Sequence, residues 1–335
     1  MFIKYNYLAL IAAFFLAVTT AWANAPQPST PAPAGFDVWR QQFAARAMQT
    51  GLPAPFVQDF VASLQFKPQS IRLDQKQPET TLTLPQYKAR TLDQARVQKG
   101  RAMLQQHQTE LAKAAQNYGV APEIMVALWG KETNYGGYTG NFDIPSVLAT
   151  LAYDGRRGEF FTQELYKAMK ILWAGHVPRA AMIGSWAGAM GQCQFMPSSF
   201  EQWAADGDGD GHKNIWQSLP DVFASTANYL VKNGWQSGAP VVLPIAFPQG
   251  ALKVKAGIEK PSQTVAAWQA AGVQITDNMG FAEQATQNQA ARLYIPDGQN
   301  SLAYLVFKNF DVLKHWNRSN FFATTVALWA RDIKK

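Results

Sequence analysis

Between Pro122 and Gly137 the chain reads PEIMVALWGKETNYGG, an apolar run with one glutamate near its end. Pro122 suits a first helical position, where its fixed φ is already helical and its missing N–H would be unpaired anyway. Glu123 to Trp129 continue without a break, and Gly136-Gly137 supply the stop. At about 100° per residue, Met125, Leu128 and Glu132 fall on one stripe, which makes this a buried helix with a carboxyl on its buried face. Desolvation and the negative end of the helix dipole both disfavour the anion there. A carboxyl that stays protonated near neutral pH can act as a general acid. Glu123 projects from the opposite face in the first turn, where a carboxylate is favoured, and is read as structural. A buried glutamate satisfied by an arginine or by backbone N–H groups fits the same stretch.

The 335 residues are enough for one large or two to three modest domains, and 47% hydrophobic with 16% charged content describes a globular chain. Met1 to Ala23 reads as a cleavable secretory signal: Lys4, an apolar Leu8 to Val18, then Ala21-Trp22-Ala23 as the cleavage site. The apolar run is short for a membrane span, although a retained anchor is the alternative. The one cysteine, Cys193, excludes an internal disulfide and leaves no cysteine to lipidate after cleavage, which suits a soluble periplasmic protein. Formal charge is +7, falling by one when Lys4 leaves. That balance would favour an anionic polymer, but no Lys/Arg block or nucleic-acid module is visible, so nucleic acid is not an expected partner.

Asn24 to Gly35, rich in Pro, Ala, Ser and Thr, is a lead-in of linker composition. Helical spacing follows through Phe36, Trp39, Phe43, Ala47, Phe56, Phe60 and Leu64. Lys67 to Pro85 is polar and broken by Pro68, Pro78 and Pro85, which predicts an extended connection with short strands at most. Thr91 to Tyr118 reads as one longer helix, with His107 solvated or packed. Ile144–Tyr153 and Glu159–Leu172 are helical. Gly184 to Phe200, GSWAGAMGQCQFMPSSF, intersperses Gly184, Gly188 and Gly191 with alanines, a spacing that lets the backbone approach another chain or a ligand closely. It is not a dinucleotide loop, because no strand precedes it.

Asp206-Gly207-Asp208-Gly209-Asp210-Gly211 resembles the first half of an EF-hand calcium loop. The second half departs from it: Lys213 takes the usual apolar position and Gln217 stands where the bidentate glutamate belongs, while Asp221 could close an enlarged loop. An Asp-Gly turn run without metal is the alternative. After the amphipathic helix Asp221 to Trp235, the stretch from Gly238 to about Lys308 looks strand-rich, a small α+β insert before helices return and dock on the N-terminal ones.

Four segments in order, GVAPEIMVALWGKETNYGG, GSWAGAMGQCQFMPSSF, DGDGDG with NIWQSLPDVFASTANYLVKNGW, and KNFDVLKHWNRS, resemble the lytic murein transglycosylase B family over nearly all of the chain from Phe36. The resemblance implies a mainly α (α+β) fold: a lysozyme-like helical core over 108–237, flanked by a helical domain over 36–107 completed by 310–335, and a small β-containing insert over 238–309. It implies cleavage of the MurNAc–GlcNAc β-1,4 bond of peptidoglycan without water, leaving a 1,6-anhydromuramoyl end. Carried over by position, the family's catalytic glutamate falls on Glu132, and its glycan-groove residues on Tyr87, Ser185, Gln194, Tyr229 and Asn309. Its calcium ligands fall on Asp206, Asp208, Asp210, the His212 carbonyl and Asp221, with the loop one residue longer before Asp221. Trp316 stands where the family commonly has a tyrosine. The expected partners are glycan strands and proteins of cell-wall synthesis or division, the expected state is a monomer, and no cofactor is needed for the chemistry.

A two-carboxylate glycosidase needs a second Asp or Glu across the scissile bond. Asp143, Asp154 and Glu159 read instead as connecting and helix-start positions. One carboxyl suffices if the sugar supplies its own nucleophile. A muramidase, with water attacking the same bond, and a non-catalytic peptidoglycan-binding protein are the competing readings.

Overall fold

The computed structural model describes residues 32–75, 82–246, 256–258, 262–298 and 302–335. The leader read over Met1–Ala23, residues 24–31 of the lead-in and the strand expected at Leu252-Lys253-Val254 lie outside them. The fold is mainly helical with small antiparallel sheets. The described residues group into two compact units, one of 32–75 with 132–225 and one of 82–131 with 226–335. These units are drawn along other lines than the blocks 36–107, 108–237 and 238–309 expected from the sequence. The chain changes unit within two helices, Pro122–Thr133 and Leu219–Lys232.

In the unit that contains Glu132, the helices Ile144–Asp154 and Gly158–Trp173 form an antiparallel pair at the centre. Phe36 and Phe43 of Ala34–Ala47, and Val57 and Phe60 of Ala54–Ala62, are buried in the same unit. Residues 68–75 correct one expectation. They are a helix, Pro68–Gln75, packed on Ile144–Asp154, and not an extended connection. Its buried positions are Ser70 and Asp74, one helical turn apart, so no apolar periodicity announces it. Asp74 is held instead by Arg156 and Arg157 from the turn after Ile144–Asp154, with Arg156 Nη2 also donating to the Asp74 carbonyl at 2.8 Å.

Among its described residues the first unit holds only the two-stranded pair Phe142–Asp143 with Ile183–Gly184, and the second unit carries the larger sheet. Its strands run Gly257–Ile258, Ala290–Ile295, Ala303–Val306, Val242–Ala246, Gln274–Ile275 in spatial order, all antiparallel, with Gln263–Thr264 also paired to Ala290–Ile295. The C-terminal helix Asn320–Lys334 packs on Leu84–Thr91 and Gln94–Gln106, and Arg101 closes that packing by donating from Nε and Nη2 to the Asp332 carbonyl. The single helix expected over Thr91–Tyr118 is two, Gln94–Gln106 and Gln108–Tyr118. His107 (φ −110°, ψ 29°) separates them, its ring edge-on to Trp129 at 5.9 Å.

Candidate active site

Glu132 is the penultimate residue of Pro122–Thr133 and is only 8% exposed, as its place on the apolar stripe requires. The helix stops sooner than the glycines suggest. Asn134 (φ 52°) and Tyr135 (φ 61°) already adopt the left-handed region before Gly136 (φ 70°). Left-handed backbone at two consecutive non-glycine residues stores of order 1–3 kcal/mol each and persists only where surroundings over-determine it. Here the surroundings are specific. Thr133 Oγ1 accepts from Gly136 N–H at 3.1 Å and donates to the Gln192 carbonyl, while Tyr138 N–H closes on the Thr133 carbonyl at 2.9 Å. A Cβ on Gly136 would collide with the Gln192 amide. The turn after the acid is thus shaped against the glycine-rich segment.

That segment is a tight double reversal in which Gly184 pairs with Met190 and Met190 with Phe195. The close approach expected of its small residues is made within the chain: a Cβ on Gly184 would strike the Ala189 carbonyl. Phe142 pairs with Gly184, and Gln194 Nε2 donates to the Thr139 carbonyl at 3.1 Å, so the loop after Glu132 and the glycine-rich segment are fastened at two points.

Two site residues acquire defined polarity from these bonds. Ser185 Oγ accepts from Ala187 N–H at 3.3 Å and Ala189 N–H at 3.0 Å, which leaves its hydroxyl hydrogen to be donated outward. Gln194, itself left-handed at φ 51°, has both amide hydrogens engaged by the Thr139 and Gly191 carbonyls, which leaves Oε1 as an acceptor. Both side chains are half-buried. One donor and one acceptor on adjoining turns match the two ends of an acetamido group.

Two of the carboxylates read as connecting residues, Asp143 and Glu159, are engaged elsewhere. Asp143 forms a two-pronged ion pair with Arg179, one contact at 2.9 Å, and caps the Ile144–Asp154 helix through Ser146 N–H at 3.2 Å. Glu159 is exposed and accepts from Gln163. Glu164 is buried and caps the Pro197–Trp203 helix by accepting from Ser198 N–H at 2.8 Å; burial pushes its carboxyl above the ordinary value, against the lowering effect of the Ser198 bonds.

Tyr87, Tyr229 and Asn309 belong to the other unit. Tyr87 is half-buried on Leu84–Thr91, against Phe321 at 5.9 Å, with Lys131 Nζ over its ring. Tyr229 is 6% exposed, edge-on to Trp316 at 4.7 Å, and burial pushes its hydroxyl far above the ordinary tyrosine range, so it is a neutral phenol. Trp316, which stands where the family commonly has a tyrosine, is the aromatic neighbour of Tyr229. Asn309 is the last of the groove positions that the resemblance implies. It is fully buried, accepts from Gln236 N–H at 2.8 Å and donates to the Gln236 and Ala239 carbonyls at 2.9 Å each. Both hydrogens of its amide are engaged by carbonyls of the 236–239 turn.

In the acidic loop, carboxylate oxygens of Asp206, Asp208 and Asp210 lie within 4.8 Å of one another. Asp206 accepts from the Gly209 and Gly211 N–H groups at 2.6 and 2.9 Å, and these bonds hold its carboxyl below the ordinary range. Asp208 accepts from Ser218 Oγ at 2.7 Å, and Asp210 from His212 N–H at 2.7 Å. Asp221 stands apart from this cluster. It is buried, its two oxygens accepting from Gly207 N–H (2.7 Å) and Asn214 N–H (2.6 Å), and desolvation raises its carboxyl above the usual value.

Comparison with known proteins accounts for this arrangement. The family described as "Transglycosylase SLT domain" matches residues 35–331. The membrane-bound lytic murein transglycosylase B of Escherichia coli (strain K12) is 31% identical over 266 residues, 77% of this chain and 71% of that protein. SltB3 from Pseudomonas aeruginosa, in its crystal structure with NAG-anhNAM-pentapeptide, is 39% identical at a TM-score of 0.84, over 89% of this chain and 79% of that one. Escherichia coli Slt35, in its structure with calcium, is 30% identical at a TM-score of 0.74, over 88% of this chain and 92% of that one. With nearly its whole described length matched, a lysozyme-like helical core and one carboxyl buried at a helix end, this chain belongs to the transglycosylase SLT family and is a lytic transglycosylase of peptidoglycan.

Proposed function

We propose that Glu132 cleaves the MurNAc–GlcNAc β-1,4 bond alone, first as acid and then as base. The observation that carries this reading is the burial of its carboxyl at the tail of an apolar helix, while Asp143, the next carboxylate along the chain, is tied to Arg179. Burial disfavours the charged form, which suits a group that must begin protonated. The Glu132 proton passes to the glycosidic oxygen as the C1–O bond breaks and positive charge develops at C1. The carboxylate so formed takes the proton of the MurNAc C6 hydroxyl as O6 attacks C1. Glu132 ends as it began, no water is consumed, and the product carries a 1,6-anhydro ring. Ser185 O–H and Gln194 Oε1 hold an acetamido group by its carbonyl and its N–H, and Tyr87 and Tyr229 supply aromatic surface to the sugars.

The acidic loop suits a structural calcium ion. Three clustered carboxylates with hard oxygen donors, held by backbone N–H groups, match that cation. Asp206, Asp208 and Asp210 would hold it with the His212 carbonyl, while Asp221 braces the loop from beneath through Gly207 and Asn214. The substrate reading extends the muropeptide complex of SltB3 to this chain. Export by the Met1–Ala23 leader would deliver the enzyme to the periplasm as a monomer. Among the described residues no helix is long and apolar enough to cross a membrane.

Substituting Glu132→Gln tests the assignment. Lysis of purified sacculi should fall about 10³-fold, within the range that a positioned acid–base group contributes, while muropeptide binding and the melting temperature hold. Undiminished lysis by that variant would remove Glu132 from the chemistry.

A further inference from the structure

We propose that Tyr138 is a further substrate-contacting residue, its ring stacking on a pyranose that adjoins the one whose C1 reacts; the inference rests on the reading of Glu132, Ser185 and Gln194 as one glycan site. All of these residues lie in the unit that contains Glu132. The Tyr138 N–H donates to the Thr133 carbonyl at 2.9 Å, one residue after the acid. The next carbonyl, that of Thr139, accepts from Gln194 Nε2 at 3.1 Å. Gly140 (φ 97°) then passes so close to the glycine-rich segment that a Cβ on it would strike the Gly184 carbonyl and the Ser185 nitrogen. Tyr138 thus stands on a short bridge between the turn of the acid and the two side chains of acetamido polarity.

The residue on this bridge is 47% exposed. A lone exposed aromatic is ordinary on a protein surface, and what distinguishes this one is its mounting. Trp173, 51% exposed in the same unit, sits instead at the end of the helix Gly158–Trp173, its ring 5.0 Å from that of Phe56. A pyranose carries axial C–H bonds on its faces and hydroxyls round its rim. The negative face of an aromatic ring attracts the first, and a phenol O–H at the ring edge can pair with the second. Backbone already held at two points need not be ordered when the sugar arrives, and a tyrosine has only two side-chain angles to fix. A sugar adjoining the reacting one keeps its shape and charge, so stacking on it is equally strong in the ground and transition states. Its signature is therefore a change in KM and not in kcat.

Kinetics on soluble glycan strands test this directly. Tyr138→Ala should raise KM about three- to tenfold with kcat within about twofold, the size of one aromatic stacking contact, and should keep the wild-type melting temperature. Tyr138→Phe and Tyr138→Trp should hold KM within about twofold, because the ring face carries the contact. Trp173→Ala, which removes a ring of similar exposure, should leave both constants unchanged. Independently of turnover, sugar C–H protons of a muropeptide bound to Glu132→Gln should be shifted upfield, and part of that shift should vanish when Tyr138→Ala is added. An unchanged KM in Tyr138→Ala, an unchanged shift on adding it, or an equal KM rise in Trp173→Ala would overturn the proposal. Tyr138→Phe as damaging as Tyr138→Ala would also overturn it, as would a fall in kcat alone, the mark of a residue that merely supports the turn. Ser185→Ala reports on the glycan site separately. If it lowers kcat/KM while Tyr138→Ala changes nothing, the reading of the site stands and the role of Tyr138 alone fails.

Discussion

Ser185 and Asn309 are both positions that the resemblance places in a family's glycan groove, and their surroundings differ: Ser185 is half-buried and Asn309 fully buried. The Ser185 oxygen satisfies two backbone N–H groups of buried residues. Ser185→Ala should therefore cost about 1–3 kcal/mol of stability, the penalty for buried donors left unmatched, and should also lower kcat/KM at least tenfold; urea unfolding and turnover measured on the same preparation separate the two. Asn309→Ala should cost at least as much stability, because the 236–239 turn loses three bonds, yet turnover per folded molecule should stay within about threefold. A large kcat/KM loss in Asn309→Ala without unfolding would return it to the substrate. At this scale the sequence was readable where periodicity speaks. Glu132 stands out because a 3.6-residue period places it on an apolar stripe. The polarity of Ser185 and Gln194, the enclosure of Asn309 and the partner of Lys131 arise from residues distant in the chain, which no local pattern encodes.

Two elements of the unit that contains Glu132 are held by carboxylates, and each makes its own prediction. Glu164 caps the Pro197–Trp203 helix from a buried position, its carboxyl raised above the ordinary 4.5 by desolvation. A raised carboxyl binds more protons in the folded than in the unfolded state. Its contribution is therefore most favourable below the unfolded value and declines as pH rises through the folded one. Compared with Glu164→Gln, the wild type should lose relative stability as pH rises above about 4.5. Melting curves of both proteins across that range should diverge in that direction, and parallel curves would contradict it. The acidic loop should behave as a metal-stabilised element: calcium at a hundredfold excess over Kd adds about 2.7 kcal/mol, EDTA reverses it, and Asp208→Asn weakens the shift. The elements also show why some were hidden from pattern reading. Pro68–Gln75 buries a serine and an aspartate, so its reason for being a helix lies in Arg156 and Arg157. The break at His107 follows no glycine or proline, and the ring it presents to Trp129 is a tertiary contact.

For the molecule as a whole, the sequence conveyed the helical catalytic core and the strand-rich excursion before the C-terminal helices, because burial on one face imposes a period of 3.6 on helices and 2 on strands. It did not convey the grouping into two units, since helices Pro122–Thr133 and Leu219–Lys232 read as uninterrupted and give no sign that the chain changes unit within them. If the leader acts as read, the mature protein isolated from the periplasm begins at Asn24, which intact-mass measurement checks. The proposed reaction turns on which oxygen attacks C1 once the glycosidic bond has broken. Digestion of purified murein by the wild-type enzyme in ¹⁸O-labelled water, followed by mass spectrometry of the muropeptides, decides this. Products lighter by one water than the reducing sugars, with no label at C1, are the predicted result. Reducing MurNAc carrying ¹⁸O at C1 would mean that water is the nucleophile and would contradict it.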